Sequence, residues 1–373
     1  MRLVLSLSTA PEPLSVERAI AEIRAARPVV VEGEAGDGRG LVVGIEDLDA
    51  AQCLRIEALA GGQAHLVLPP ARLRRLGLTR RQPGRVALPA VDLARIEMLA
   101  GRVEGRADAP VAPASSLDEA ALELARLALV LPAVLVVPLA AGLEIDPCLV
   151  RVPAGAIRGY RQARVRGLRI VSRAPVPLED APASEFVVFR GGEGLRDQVA
   201  ILVGKPDLAQ PVAVRLHSAC LTGDLFGSLK CDCGDQLRDT VRAMAHSAGG
   251  ILLYLDQEGR GNGLANKIRA YQLQAQGYDT YEADEVLGFE LDQRRFDFAA
   301  EMLKQLGVRA VRVMTNNPEK IRALREAGLA VASDERVLGR RTAENVRYLA
   351  AKRDQAGHYI DVDALVARLP KQD

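Results

Sequence analysis

Three of the chain's five cysteines, Cys220, Cys231 and Cys233, fall in the stretch RLHSACLTGDLFGSLKCDCGDQ (residues 215–236) with the spacing C-x10-C-x-C. Thiolates are strong, soft ligands for zinc, which prefers four ligands. Three protein sulfurs leave a fourth position for water, as in catalytic rather than structural sites. Gly223 and Gly227 lie in the polar segment between them and let it fold back, bringing Cys220 beside the close pair. Three unrelated buried thiols are the plainer reading. Lys230, Asp232, Gly234 and Asp235 around the pair make no core strand, however, so the spacing points to a metal.

A second chemical pattern follows. The apolar run GILLYL reads as a buried strand, DQEGRGNG as a glycine-rich turn, and LANKIRAYQLQAQ as a helix closed by Gly277. Such a turn exposes backbone N–H groups and lets a phosphate approach, with the helix N-terminus adding positive potential. It matches neither the Walker lysine pattern nor the dinucleotide fingerprint. Arg260 lies within the turn, and Lys267 and Arg269 follow it, facing either a phosphate or solvent. Thr315, Asn316 and Asn317 end the strand read over 308–315, where open α/β sheets place ligands.

The elements that must position these residues alternate between α and β, so the expected fold is α/β (α+β) in two domains. The first runs over 1–165: a helix over 15–27, strands at 29–31 and 41–43, a helix at 48–59 and a helix-to-strand unit over 116–137. Proline and small polar residues mark 166–184 as a linker. The second domain, 185–373, opens with a hairpin at 186–189 and 198–203 and a strand at 211–217. Helices are expected at 236–247 and 294–306, and another opens at NNPEK. A formal charge of +1 on 373 residues gives no global field for nucleic acid or a membrane surface. An odd cysteine count with three wanted as thiolates fits the reducing cytoplasm. No membrane span or signal segment is expected: the apolar run 127–143 is broken by prolines.

In this second half, RLHSACLTGDLFGSLKCDCGDQ, DQEGRGNGLANKIRAY, LGFELDQRRF and VMTNNPEK follow in the order and spacing of GTP cyclohydrolase II, which the chain resembles over about 170 residues. The resemblance implies opening of the guanine imidazole ring with loss of formate and pyrophosphate. The product is 2,5-diamino-6-ribosylamino-4(3H)-pyrimidinone 5′-phosphate, at the entry to riboflavin synthesis. It also implies one zinc per subunit, magnesium on the triphosphate, and GTP as the small-molecule partner. Cys220, Cys231 and Cys233 match the zinc ligands. Arg215, Leu216, His217, Ser218, Gln236, Glu258, Gly259, Arg260, Thr280, Thr315 and Lys320 match nucleotide contacts. Glu258 could accept from the guanine amide and amino groups, and Arg260 and Lys320 could meet phosphate oxygens. Tyr271 matches a tyrosine of the ring-opening step. Asp292 and Arg294 match the family's proton acceptor and its nucleophile toward the α-phosphate. A guanidinium is a poor nucleophile, so Arg294 reads more easily as a clamp on developing charge.

Upstream, AIAEIRAARPVVVEGEAGDGRGLVVG and LPPARLRRLGL resemble the 3,4-dihydroxy-2-butanone 4-phosphate synthase domain. Only Glu32, Glu34 and Asp37 remain of its acidic loop, and SSLDEAALELARL lacks its histidine. The fold is expected to persist there without the chemistry. In the second half, Ala219, Asp256, Asn262 and Arg295 depart from the family's usual residues. Two other readings therefore stand beside the cyclohydrolase: a paralogue opening a related ring in pyrimidine breakdown, and a zinc-containing GTP sensor without turnover. Tyr271, Asp292 and Arg294 argue against the sensor, since binding alone needs none of them. A homodimer is the expected assembly.

Overall fold

The computed structural model describes residues 11–34, 36–191, 197–290, 293–337, 353 and 359. The chain divides into two compact units. One comprises Met1–Ala163 with Glu282–Leu291, the other Arg164–Tyr281 with Asp292–Asp373. Among the described residues no helix is long and apolar enough to cross a membrane.

The first unit is built on a seven-stranded sheet with the order β5-β4-β3-β6-β2-β1-β7. Its strands are β1 (Val29–Glu32), β2 (Arg39–Gly44), β3 (His65–Leu68), β4 (Gly84–Ala87), β5 (Val111–Pro113), β6 (Val134–Leu139) and β7 (Arg151–Pro153). Its helices are α1 (Pro11–Arg24), α2 (Ala50–Ala60), α3 (Pro70–Arg75), α4 (Leu93–Ala100), α5 (Ser116–Leu127) and α6 (Ala154–Arg166), the last running on into the second unit. Alternate strand residues serve opposite cores. Val29, Val31, Val134 and Val136 pack with α1, α5 and α6, whereas Val30, Leu135 and Val137 pack with α2 and α4. Burial on both faces explains why these strands read as unbroken apolar runs. Alternation of α and β suggests a parallel sheet, yet only β1 and β7 pair in parallel. Apolar patterning fixes which residues are buried, but it carries no strand direction.

The second sheet has the order β14-β13-β11-β12-β10-β9-β8. Its strands are β8 (Arg169–Pro175), β9 (Ser184–Arg190), β10 (Gln198–Val203), β11 (Val212–Ser218), β12 (Gly250–Leu255), β13 (Ala310–Met314) and β14 (Ala330–Glu335). β14, β13, β11 and β12 run parallel, and β10, β9 and β8 continue the sheet antiparallel. Arg169–Pro175, inside the stretch read as linker, is thus an edge strand. It is mostly exposed and offers little apolar alternation to read.

The helices of this half are α7 (Leu221–Asp224), α8 (Cys233–Ala245), α9 (Leu264–Ala275), α10 (Thr280–Val286), α11 (Asp297–Gln305) and α12 (Pro318–Glu326). Helix α8 covers one sheet face through Val241 and Met244. Helices α11 and α12 cover the other through Phe298, Met302, Leu303, Ile321 and Leu324. Two helices differ from their expected starts. α8 begins at Cys233 rather than residue 236, and α11 at Asp297 rather than residue 294.

Candidate active site

The C-terminal ends of the parallel strands β11, β12 and β13 carry the three motif loops of the second unit. This is where parallel α/β sheets collect ligand-binding residues, because successive crossover loops converge there.

β11 runs directly into the cysteine loop. The Sγ atoms of Cys220, Cys231 and Cys233 lie within 4.8 Å of one another, and those of Cys220 and Cys231 are 3.6 Å apart. Among the described residues no other group of three His, Cys, Asp or Glu side chains gathers its ligand atoms this closely. Gly223 forms the floor of the cluster. A Cβ on it would stand 2.6 Å from Cys231 Sγ and 3.0 Å from Cys220 Sγ. Gly234 lies as tightly on Gly223, where a Cβ would fall 2.2 Å from its carbonyl oxygen. Both glycines are therefore dictated by close approach. The thiols already share charge: hydrogen bonds from Cys231 and Cys233 hold the Cys220 thiol far below its ordinary pKa, and Lys267 assists. The same bond pushes Cys231 upward. Three soft, mutually close sulfurs, one already favouring the thiolate, fit a borderline-soft divalent cation.

Two polar residues that the sequence did not identify as site residues organise this loop. Asp224 accepts from Cys220 N at 2.9 Å and from the Tyr254 hydroxyl at 3.0 Å, and pairs with His217 Nε2 at 3.0 Å. Its only signal was an acid four residues after Cys220. Tyr254 stacks on His217 with ring centroids 5.6 Å apart. Burial holds the His217 pKa below its ordinary value, against the pull of Asp224. Lys267, which the sequence left between phosphate contact and solvated charge, turns inward. Its Nζ lies 3.2 Å from Cys220 Sγ and 2.8 Å from Glu258 Oε1. Burial opposes its charge, but the Cys220 thiolate and Glu258 outweigh that and raise its pKa.

The glycine turn follows β12. Gly259 and Arg260 are both left-handed, with φ of 60° and 59°. A non-glycine residue there is unusual and points to a constrained, functional turn. Glu258 accepts from Leu221 N at 2.6 Å with one carboxylate oxygen, and from Lys267 and its neighbour Gly259 N with the other. It ties the glycine turn to the cysteine loop, a task that guanine recognition would have to share. The Arg260 guanidinium covers the Tyr281 ring at 4.4 Å. Thr280 opens α10 next to Tyr281. Tyr271, on α9, faces the cysteine loop: Lys230 lies 4.8 Å from its ring centre, and its hydroxyl bonds to Thr222. Burial raises its pKa, partly offset by Lys267, so the phenol stays protonated.

Beside the cysteines, a buried polar group lines the ends of β11 and β13. Arg215 donates to the Met314 carbonyl at 3.0 Å and to Gln236 Oε1 at 2.5 Å, and Gln236 donates onward to Asp232. Burial lowers the Arg215 pKa to about 10. Lys320 Nζ donates to the Leu216 carbonyl at 2.6 Å. The Leu216 side chain itself belongs to the core, so that residue offers only backbone. Thr315 is buried and bonded within its own turn. Arg294 and Lys320 both lie over the Phe296 ring, at 5.7 and 5.3 Å. Asp292 lies outside the described residues. Arg215 Nε, His217 Nδ1 and Ser218 Oγ are buried without a hydrogen-bond partner among the described residues. Buried polar atoms of this kind are rare and costly, and three of them fall at one strand end beside the cysteine loop.

The GTP cyclohydrolase II family profile matches residues 169–337. A GTP cyclohydrolase-2 of Xylella fastidiosa (strain Temecula1) is 44% identical over 94% of this chain and 88% of its own length. One of Azospirillum brasilense is 40% identical over 92% and 93%. Another, of Vibrio vulnificus, is 47% identical over 48% of this chain but 90% of itself, and so has room for only one of the two units. Among solved structures, a two-domain 3,4-dihydroxy-2-butanone 4-phosphate synthase from A. baumannii is similar over 87% of this chain and 99% of its own. The TM-score there is 0.34 and the identity 15%. The site's motif loops fall within the matched profile, and the Xylella alignment spans both units. By that similarity the chain belongs to the GTP cyclohydrolase II family.

Proposed function

We propose that the chain hydrolyses GTP to 2,5-diamino-6-ribosylamino-4(3H)-pyrimidinone 5′-phosphate, formate and pyrophosphate, the entry step of riboflavin synthesis. The observation that carries this reading is the juxtaposition of the cysteine cluster with the unpartnered atoms of Arg215, His217 and Ser218. Zinc held by Cys220, Cys231 and Cys233 would supply a Lewis acid and a water of lowered pKa. Arg215, His217, Ser218 and Gln236 orient the nucleotide beside it. Lys267 offsets the negative charge of the sulfurs and keeps Glu258 on the loop. Tyr271, protonated and half-buried, donates a proton or hydrogen bond as the ring opens. Arg260, Lys320 and Arg294 meet the triphosphate, which carries magnesium. Thr280 and Thr315 complete the nucleotide contacts. Arg294 stabilises charge on the leaving pyrophosphate, and Asp292 takes up a proton there.

The front unit, in this reading, contributes no synthase chemistry. Glu34 pairs with Arg158 and Asp37 with Ser116, so two of its three remaining loop acids are already engaged. The thiolate cluster calls for the reducing cytoplasm. A second copy of the chain would cover Leu225 and Phe226, which are 70% and 73% exposed. Sedimentation at micromolar concentration tests that assembly.

The decisive assay incubates zinc-loaded protein with GTP and magnesium and follows formate, pyrophosphate and the pyrimidine. Cys231→Ser is expected to lose formate release while keeping its circular dichroism spectrum. Full formate release from that variant would end the metal reading. GTP binding with no turnover by the parent protein would favour the sensor.

A further inference from the structure

Asp224 closes the short helix α7 and turns its carboxylate inward, where the side chain is 7% exposed. Its two oxygens have different partners. Oδ2 accepts from Cys220 N at 2.9 Å and from the Tyr254 hydroxyl at 3.0 Å. Oδ1 faces His217 Nε2 at 3.0 Å, with Oδ2 at 3.1 Å from the same nitrogen. Strand pairing produces this arrangement. β11 and β12 run parallel with His217 beside Tyr254, so both side chains leave the same face of the sheet. Their rings stack with 15° between the planes, and the phenol reaches the carboxylate that the imidazole faces. His217 is buried, and its other ring nitrogen, Nδ1, has no hydrogen-bond partner among the described residues.

An ionised carboxylate only accepts hydrogen bonds, whereas a neutral imidazole carries one N–H and one lone pair. Burial holds the His217 pKa below its ordinary value, so the ring is neutral at neutral pH. Its one proton then sits on Nε2, toward Asp224, and the lone pair is on Nδ1. We propose that Asp224, held by Tyr254 and the Cys220 N–H, is a positioning residue that fixes this tautomer, so that His217 offers the bound nucleotide an acceptor rather than a donor. The donors that GTP presents are the guanine N–H groups and the ribose hydroxyls, while its phosphate oxygens only accept. His217 therefore receives the nucleoside end of the substrate and turns phosphate away. The same carboxylate holds Cys220 N, so the cysteine loop and the nucleoside contact share one anchor. The consequence for turnover rests on the cyclohydrolase reading; the place of the ring proton does not.

Asp224→Asn in the full chain tests this without changing the size of the side chain. The two donors at Oδ2 hold the amide oxygen there, which leaves the amide nitrogen facing Nε2. The ring must then accept at Nε2 and carry its proton on Nδ1, so an acceptor in the site becomes a donor. The chain has four histidines, so selective isotopic labelling gives few ring-nitrogen NMR signals, and His217→Gln identifies those of His217. The parent is expected to show the Nε2–H form and Asp224→Asn the Nδ1–H form. Zinc content should stay unchanged, while GTP binding weakens and kcat/KM falls about 100-fold or more, the scale of a wrong tautomer or a mispaired buried group. Tyr254→Phe keeps the stacked ring and the carboxylate, and is expected to retain the parent tautomer with a loss below about tenfold. A parent protein inactive on GTP would refute the proposed function, and the ring spectra with GTP binding would still decide the role of Asp224. A parent ring with its proton on Nδ1 would overturn the proposal even if Asp224→Asn fails to fold. So would an Asp224→Asn protein with the reversed ring that binds and turns over GTP as the parent does.

Discussion

At Gly223 a methyl group would have to share space with two sulfurs that the site needs close together. Gly223→Ala is therefore expected to lose nearly all bound zinc, measured by metal analysis after gel filtration. The second unit should otherwise stay folded, because the residue, though buried under the sulfurs in the short helix α7, belongs to neither of that unit's apolar cores. Arg294 invites a different substitution. If it stabilises charge, Arg294→Lys keeps part of the activity, whereas Arg294→Ala loses about 100-fold or more in kcat. Equal loss in both, with formate still released at the normal rate, would favour a covalent role instead. At this scale the cysteines were legible because ligand chemistry restricts residue type and spacing. Asp224 and the inward turn of Lys267 were not legible. An acid or lysine in a polar loop looks the same whether it faces water or a neighbour, and only the fold-back of the loop decides between them.

Strand ends and helix starts set the next level of organisation. Asn317 caps α12 by accepting from Glu319 N at 2.9 Å, and Lys320 projects from the following turn to the Leu216 carbonyl. Asn317→Ala is expected to cost about 1 kcal/mol of stability in chemical denaturation, the usual value of such a cap. The KM for GTP should rise with it, since Lys320 loses a fixed base. The hairpin β9–β10 and the strands β11, β12 and β13 were readable from short apolar runs bounded by turns. The direction of β1 to β7 was not, and neither was β8. Strands buried on both faces show no alternation that would assign partners, and an exposed edge strand resembles a linker.

At the scale of the whole molecule, the front unit buries a His–Asp pair beside its two apolar cores. His65 Nε2 lies 2.8 Å from Asp118 Oδ1, and Asp118 also closes the N-terminal turn of α5 by accepting from Ser115 N. Burial pushes the Asp118 carboxyl up, but hydrogen bonds from His65 and Ser115 outweigh it and hold its pKa below the ordinary range. The sign follows: a depressed carboxylate pKa stabilises the fold above about pH 4 and ceases to do so as the pH falls through the folded-state value. Asp118→Asn is expected to cost roughly 1–3 kcal/mol at neutral pH, the value of a buried partner left unpaired. It should also flatten the loss of stability as the pH falls below about 4, which thermal melts across the acid range would show.

The discontinuity of the front unit has a consequence in time as well as in space. During synthesis the chain emerges from its N-terminus, and domains commonly fold as they appear. Here residues 11–163 leave the ribosome long before residue 286 exists, so Arg72 must wait with one carbonyl partner missing and the site for Val286, Leu287 and Phe289 unfilled. The front unit cannot finish folding until most of the second unit has been translated. A nascent chain stalled at residue 281 should then be cut by protease within the front unit faster than one stalled after residue 291.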